Sequence, residues 1–317
     1  MTTLLTTLQE VFGAARVHEH VRLAPLTTFR VGGEADLLVE TRGSAEIVRA
    51  LELAHQHGVA VTMLGGGSNV LVSDRGVRGL VVRPRGGVVE ALDVHHVRAD
   101  AAVTINGLVR WTIVRGFGGL ERWAGTPGTV GGAVVGNAHF GGRLIGDVIT
   151  EVQLVDRAGR IAAVPVAEMA FAYDRSRVQQ TGEVVLTATF HVTPSDPVSL
   201  RETARASLAY RKRTQPLETP SAGCVFQNPE VGRDRLPPGM PCSAGALVDR
   251  AGLKGLQIGG ARVSEAHGNF IVNEGAATAA DIRALIERCK SEVQRQFGVT
   301  LREEIVYLGD FGVHTAH

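Results

Sequence analysis

The chain is predicted to be an α+β protein of three domains. Three features point that way. Its 317 residues exceed what one hydrophobic core usually organises. A strand–helix–strand pattern over 35–82 gives way to short β-like runs over 86–200. An amphipathic helix then closes a third segment at 279–297.

Taken in order, "ADLLVE" is an apolar strand. "SAEIVRALELAHQHG" puts Ile47, Val48, Leu51 and Ala54 on one helical face, with Ser44 predicted as N-cap and Gly58 past the end. The strand "VAVTML" runs directly into "GGGSN", and "GLVVR" follows a turn at 74–76. This places a glycine loop at the carboxyl end of a strand, a common place for a ligand. The second region holds the runs "VVEALDV", "EVQLVD", "IAAVPV" and "EVVLTATFHV" around a second glycine tract, "AGTPGTVGGAVVGNAHFGG". The turn "PSDPVS" leads into a helix through "LRETARASLAYRKR". In the last helix Ile282, Leu285, Ile286, Cys289, Val293 and Phe297 recur at helical spacing, with Thr278 as N-cap and Gly298 closing it. "VTLREEIVYLG" reads as a buried strand returning to the first domain's sheet. The predicted domains are therefore 1–84 with 299–317, 85–213, and 214–298.

Composition narrows the function. The net charge is +1, with no basic run and few aromatics, which argues against nucleic-acid binding. No apolar stretch reaches the ~18 residues of a membrane span and the N-terminus lacks a signal-peptide pattern, so a cytoplasmic protein is expected. Three irregularly spaced cysteines give neither a disulfide framework nor a zinc site. Cys289 reads as inert core and Cys242 as a loop residue. The pairs His18/His20 and His95/His96 have no ligand spacing around them, and no metal is expected.

Glycine is abundant, 39 residues against the ~7% usual in proteins, and it is clustered. Neither glycine tract is a P-loop or a G-x-G-x-x-G fingerprint, and each alone is also consistent with a tight turn. Two such loops together expose many backbone N–H donors, as a pyrophosphate requires. Pro127 stiffens the second loop, while Ser68, Asn69, Thr129 and Asn137 add side-chain donors. A dinucleotide held by the first two domains is the natural inference.

The stretches "TTFRVGGEADLLVE", "LGGGSNVLVSD" and "AGTPGTVGGAVVGNAH" resemble the FAD-binding signature of the UDP-N-acetylenolpyruvoylglucosamine reductases. "YRKRTQP", "PSAGCVFQNP", "AGLKGLQIGGARVSEAHGNFIVN" and "LREEIVYLG" continue the likeness in family order over residues 24–309. The resemblance implies a vanillyl-alcohol-oxidase-type FAD-binding unit plus a smaller α+β substrate domain. It also implies NADPH-dependent reduction of an enolpyruvyl sugar nucleotide in bacterial peptidoglycan synthesis. A monomer is expected, although the sequence itself does not give the oligomeric state. Only "VQQTGE" follows the Tyr-Arg-x-Ser region, as in the family branch without a tyrosine-bearing insertion. The alternative enzyme is an FAD-dependent oxidase of the same cofactor-binding type, and a non-catalytic dinucleotide-binding module is the alternative of another class.

By the same resemblance, FAD is expected against Arg30, Gly65, Gly66, Gly67, Ser68, Asn69, Gly125, Thr126, Pro127, Gly128, Thr129, Gly131, Gly132, Ala133 and Asn137. Lys212, Asn228, Lys254, His267 and Asn269 are expected at the substrate. The proton donor would be Cys224, where many relatives carry serine; for an arbitrary cysteine the ordinary reading is a small buried hydrophobe. Glu304 would be the catalytic carboxylate, its pKa expected to rise by desolvation. Asp174 stands at the family's arginine position, so the cation for the substrate carboxylate is assigned to Arg175, with Arg177 in reserve. Gln227 stands where lysine is common and receives no charge-based role.

Overall fold

The computed structural model describes residues 2–230 and 232–312. The chain forms two compact units. The first comprises residues up to Val21, Asp36–Gly66 and Arg78–Tyr210. The second comprises Arg22–Ala35, Gly67–Val77 and the described residues from Arg211 onward. The predicted boundary at 84/85 therefore falls inside the first unit. The segments 22–35 and 67–77, assigned by sequence to the first domain, belong with the C-terminal third.

A shared helix explains why the first unit is continuous across that boundary. One sheet runs in the order Val17–Arg22, Glu34–Thr41, Val77–Pro84, Val61–Met63, the last two strands parallel. A second, antiparallel sheet runs in the order Ile161–Pro165, Ile149–Val155, Val184–His191, His96–Asp100, Val89–Ala91. The helix Gly43–Gln56 buries Ala50, Leu53 and Ala54 with the first sheet's Leu37, Val39 and Leu80. From the same helix Ile47 packs with Val155 and Leu186 of the second sheet. The second sheet's other face packs on Trp123, Leu108 and Val134. With cover on both faces, the central strand Val184–His191 is buried almost throughout. The predicted cap Ser44 is displaced: the helix begins at Gly43, and the Glu46 carboxylate accepts from the Arg42 amide (2.7 Å).

The second unit's core gathers Phe29, Val31 and Leu71 with Val225, Phe226, Leu247, Val248 and one face of the helix Ala279–Phe297. That helix carries its predicted signals. Thr278 and Asp281 form a reciprocal capping box, and Gly298 closes the end with φ 69°. A further cap comes from far upstream: Asp74 Oδ1 and Oδ2 accept from the Ala279 and Ala280 amides (2.9 and 3.0 Å). Cys289 is 1% exposed in this core, and burial pushes its thiol up to about 12. A three-stranded sheet, Gln257–Ile258, Ala261–Val263, Ile271–Asn273, completes the layer.

The last strand departs from its prediction. Only Val306–Leu308 is regular, and it pairs in parallel with Val70–Val72 rather than joining the four-stranded sheet. Val306 is exposed, so the strand is not buried on both faces. No helix among the described residues is long and apolar enough to cross a membrane.

Candidate active site

Cys224 opens a short extended run whose backbone is held from two sides. On one side the Val225 amide donates to the Asn269 carbonyl (2.9 Å), and the Asn269 side chain takes both polar groups of Phe226 (2.8 and 2.7 Å). On the other side Phe226 bridges to Glu303, the Glu304 amide donates to Val225 O (2.8 Å), and the Gln227 amide donates to Arg302 O (2.8 Å). Val225 and Phe226 anchor the run, at 0% and 1% exposure. Alternation along an extended segment separates the neighbouring carboxylates. Glu303 pairs with Lys290 Nζ (2.7 Å), whereas the charge of Glu304 acts on the Cys224 thiol. Arg302, one residue earlier, makes a bidentate pair with Asp234 (3.1 and 2.9 Å). Glu304 is half-buried just before the last strand, with its Oε2 out of contact with solvent.

The thiol's electrostatics follow from this placement. Cys224 is half-buried as a residue, yet desolvation of its thiol, reinforced by Glu304, pushes the pKa up to about 12. Arg211 and a hydrogen bond with Asn269 oppose the rise. Arg211 is the residue that sequence reasoning missed. It sits in the last turn of the helix Pro197–Thr214, 6% exposed. Burial lowers its guanidinium to about 10, and the Cys224 charge works the other way. It remains a cation at neutral pH. The expected Lys212 is exposed, because successive helical residues point about 100° apart. A twelve-residue offset from the cysteine cannot tell which residue of "RKR" turns inward.

The four remaining substrate candidates are all in the second unit, and the structure gives each a definite contact. Asn269 is 3% exposed with its amide occupied by Phe226, so it positions the Cys224 run instead of reaching a substrate. His267 Nδ1 accepts from the Asn269 amide (3.1 Å), and burial followed by Lys254 holds its pKa down. Lys254 pairs with Asp249 (2.9 Å). Asn228 Oδ1 accepts from the Ala244 amide (3.0 Å), capping the helix Ala244–Arg250 together with Ser243. Asn273, which the sequence did not single out, ties three loops. Its amide nitrogen donates to Phe29 O (2.9 Å), its backbone amide to Pro220 O (2.9 Å), and its Oδ1 accepts from Gly275 and Ala277 (2.8 and 3.1 Å).

The glycine loops are built for close backbone approach. Within the first unit, a Cβ on Gly65 would lie 2.6 Å from Thr129 Oγ1, and one on Gly66 would lie 2.7 Å from the Gly128 Cα. Gly125 and Gly128 adopt φ 83° and 101°, which only glycine takes readily. Asn106 fixes the second loop by accepting from Gly125 N (2.7 Å) and donating to Thr126 O (3.2 Å). Among the described residues, the amides of Gly65, Gly66 and Gly128 donate to no protein acceptor. Unclaimed donors in a side-chain-free cradle match the needs of a pyrophosphate. Pro127 brings no N–H of its own.

Four of the cofactor candidates beyond this loop are otherwise engaged. The Gly131 amide donates to Ala101 O (2.9 Å), Gly132 N to the Thr129 hydroxyl (3.3 Å) and Ala133 N to Thr129 O (2.9 Å). Asn137 is fully buried, with its amide bound to Ala172 O (2.7 Å) and Gly146 N (2.9 Å). Its side chain therefore supports the turn carrying the candidate arginines, and is no cofactor donor. In the second unit Gly67, at φ 63°, lies against Leu26 O and receives Thr28 N at its own carbonyl (3.0 Å). Arg30 is exposed in the left-handed region (φ 56°), over a recess lined by Glu218 and Glu274. Asn69 Nδ2 donates to Glu304 O (3.1 Å).

The arginine turn belongs to the first unit. Ala172 and Arg175 exchange both backbone hydrogen bonds (3.1 Å each), leaving Tyr173 and Asp174 at the tip, with Asp174 at φ 52°. Ser176, fully buried, fixes the base by donating to Val135 O (2.7 Å). Arg177 is held bidentately by Glu183 (2.9 and 3.0 Å). Arg175 is exposed and faces no carboxylate among the described residues; its guanidinium meets the Gln180 amide oxygen once that amide is turned towards it (2.7 and 3.2 Å). No group of three histidine, cysteine or carboxylate residues able to hold a metal occurs among the described residues.

Comparison with known proteins finds two family matches along the chain. Residues 35–164 match a family described as an FAD binding domain, and residues 215–308 match the UDP-N-acetylenolpyruvoylglucosamine reductase C-terminal domain. The chain is 42% identical over 284 residues to a UDP-N-acetylenolpyruvoylglucosamine reductase of Moorella thermoacetica, covering 90% of each chain. A Synechococcus reductase of the same name is 39% identical over 302 residues, covering 94% of this chain and 93% of that one. The crystal structure of the Thermus caldophilus reductase superposes with a TM-score of 0.76 at 33% identity, covering 92% of this chain and 99% of that one.

Proposed function

This chain belongs to the family of UDP-N-acetylenolpyruvoylglucosamine reductases, and from that premise we propose that the Cys224 thiol protonates the enolpyruvyl substrate. It is an FAD-dependent, NADPH-consuming oxidoreductase. Its reaction turns UDP-N-acetylglucosamine enolpyruvate into UDP-N-acetylmuramate for peptidoglycan. The oxidase alternative accounts for the glycine loops and leaves the C-terminal match at 215–308 unexplained.

FAD would supply the hydride chemistry at one carbon of the enol ether, drawing on NADPH, and the unclaimed amides of Gly65, Gly66 and Gly128 would hold its phosphates. Negative charge then builds on the other carbon and spreads into the substrate carboxylate, which calls for a cation and a proton donor. Arg175 is the cation, since Arg177 is already neutralised by Glu183. The proton comes from Cys224, and the observation that carries this reading is its placement: the next residue's carbonyl, Val225 O, accepts from the Glu304 amide (2.8 Å), and burial, then the Glu304 charge, keep the thiol protonated at neutral pH. Arg211, close enough for its charge to favour the ionised sulfur, stabilises the thiolate left behind. Re-protonation resets the site. We also take the enzyme to act in the cytoplasm as a monomer.

The test separates the half-reactions. Cys224→Ala is expected to leave flavin reduction by NADPH intact and to slow reoxidation by the enolpyruvyl substrate by about 10²–10⁴-fold, the usual worth of a positioned general acid. Normal reoxidation in that variant would remove Cys224 from the mechanism.

A further inference from the structure

We propose that Asn69 is a positioning residue that couples the glycine loop to the placement of Glu304. The inference rests on the reductase reading above. It begins from a contact between residues 235 apart in sequence: Asn69 Nδ2 donates to the Glu304 carbonyl (3.1 Å). The Asn69 carbonyl in turn accepts from the Val306 amide (3.0 Å). Asn69 thus brackets Ile305, and the two segments continue as the parallel pairs Val306↔Val70 through Leu308↔Val72.

Glu304 is fixed from the other direction as well, because its amide donates to Val225 O (2.8 Å), one residue from the thiol. The carboxylate therefore hangs from a backbone held at its N–H by the Cys224 run and at its C=O by the last residue of "GGGSN". Asn69 does not lie free at its other end. Two residues earlier, Gly67 is wedged against Leu26 and bonded to Thr28, so the loop has little slack. A pyrophosphate that draws on the loop's amides would set Asn69, and Asn69 would set the backbone from which Glu304 projects. The side chain counted by sequence among the FAD donors acts instead on the catalytic carboxylate.

Asn69→Asp tests this at constant size, because a carboxylate has no donor for the Glu304 carbonyl. Asn69→Ala serves as the second variant should the aspartate fail to fold. Amide hydrogen exchange at 304–306 is read on the flavin-free and flavin-loaded protein. In the wild type, loading is expected to slow exchange at Glu304 and Val306. In both variants that slowing is expected to shrink at least severalfold. On the loaded enzyme, kcat with the enolpyruvyl substrate is expected to fall about tenfold with KM nearly unchanged, the size expected for loss of one hydrogen bond. Exchange at 304–306 that ignores flavin in the wild type would overturn the coupling. So would variants that lose flavin affinity and activity in parallel, which would make Asn69 an ordinary cofactor ligand. The exchange measurement needs no turnover. A wild type inactive on the enolpyruvyl substrate would refute the assigned reaction and still leave the coupling measured.

Discussion

The reactivity of Cys224 follows quantitatively from its surroundings. With its pKa raised from 9.0 to about 12, its thiolate fraction at neutral pH is lower by about three decades. A more basic thiolate is also a better nucleophile. With a Brønsted coefficient of about 0.45, nucleophilicity returns roughly 1.4 of those decades. Exchange with an aromatic disulfide reagent should then run roughly 40-fold slower than for an unperturbed cysteine. The assay is release of the coloured thiol from holoenzyme carrying Cys242→Ser, which removes the exposed competitor and leaves buried Cys289 as the slow background. Restricted access would also slow the reaction, so the decisive comparison is internal. Burial is the larger cause of the raised pKa and Glu304 adds to it, so Glu304→Gln should accelerate exchange in part, whereas Arg211→Met should slow it further. Reaction at the free-cysteine rate, or indifference to both substitutions, would refute the electrostatic account of Cys224 as a resident acid.

Four further outcomes are expected. Gly66→Ala puts a Cβ 2.7 Å from the Gly128 Cα and should yield protein with markedly less bound flavin, read from its visible absorbance. Arg175→Ala should cut turnover at least tenfold, while Arg177→Ala, which breaks the pair with Glu183, should lower the melting temperature more than kcat. Asp74→Ala removes acceptors from two amides at the start of Ala279–Phe297 and should cost about 1–2 kcal/mol in denaturant unfolding, as for other lost caps. Finally, stability should decline as pH rises above ~8.5. There the unfolded thiols ionise while Cys224 and Cys289, raised to about 12, keep their protons, so the native state binds more protons and alkali favours unfolding. Cys289→Val should flatten that alkaline slope.

Much of this molecule is legible in its residue pattern. The Ala279–Phe297 helix shows its period, its capping box and its terminal glycine in one dimension, because each signal is local. The Cys224 and Glu304 motifs are equally plain. What hides is assignment between partners distant in the chain. Phe29, Val31 and Leu71 are apolar whichever core they enter, and only the structure shows them in the C-terminal one. Ile47 and Ala54 share one helix, but nothing in their spacing says that they face different sheets. Polar side chains mislead more readily still. Asn69, Asn137 and Asn269 look like ligand donors near their motifs, yet each has its amide on protein backbone. An asparagine buried next to a turn meets a nearby peptide group sooner than a ligand, since an unsatisfied buried amide is costly.

The pairing of Val70–Val72 with Val306–Leu308 bears on how the chain is made. Asn69 leaves the ribosome 235 residues ahead of Glu304. At translation rates of about 5–20 residues per second, that interval is roughly 10–50 s. The first unit is complete at Tyr210, so it can fold while synthesis continues. Throughout that time the strand Val70–Val72 and the segment bearing Phe29 wait as apolar, unpaired loops between finished strands. A nascent chain stalled before residue 300 should therefore be a better chaperone substrate than the released protein, and shortening the chain by its last strand would leave that liability permanent.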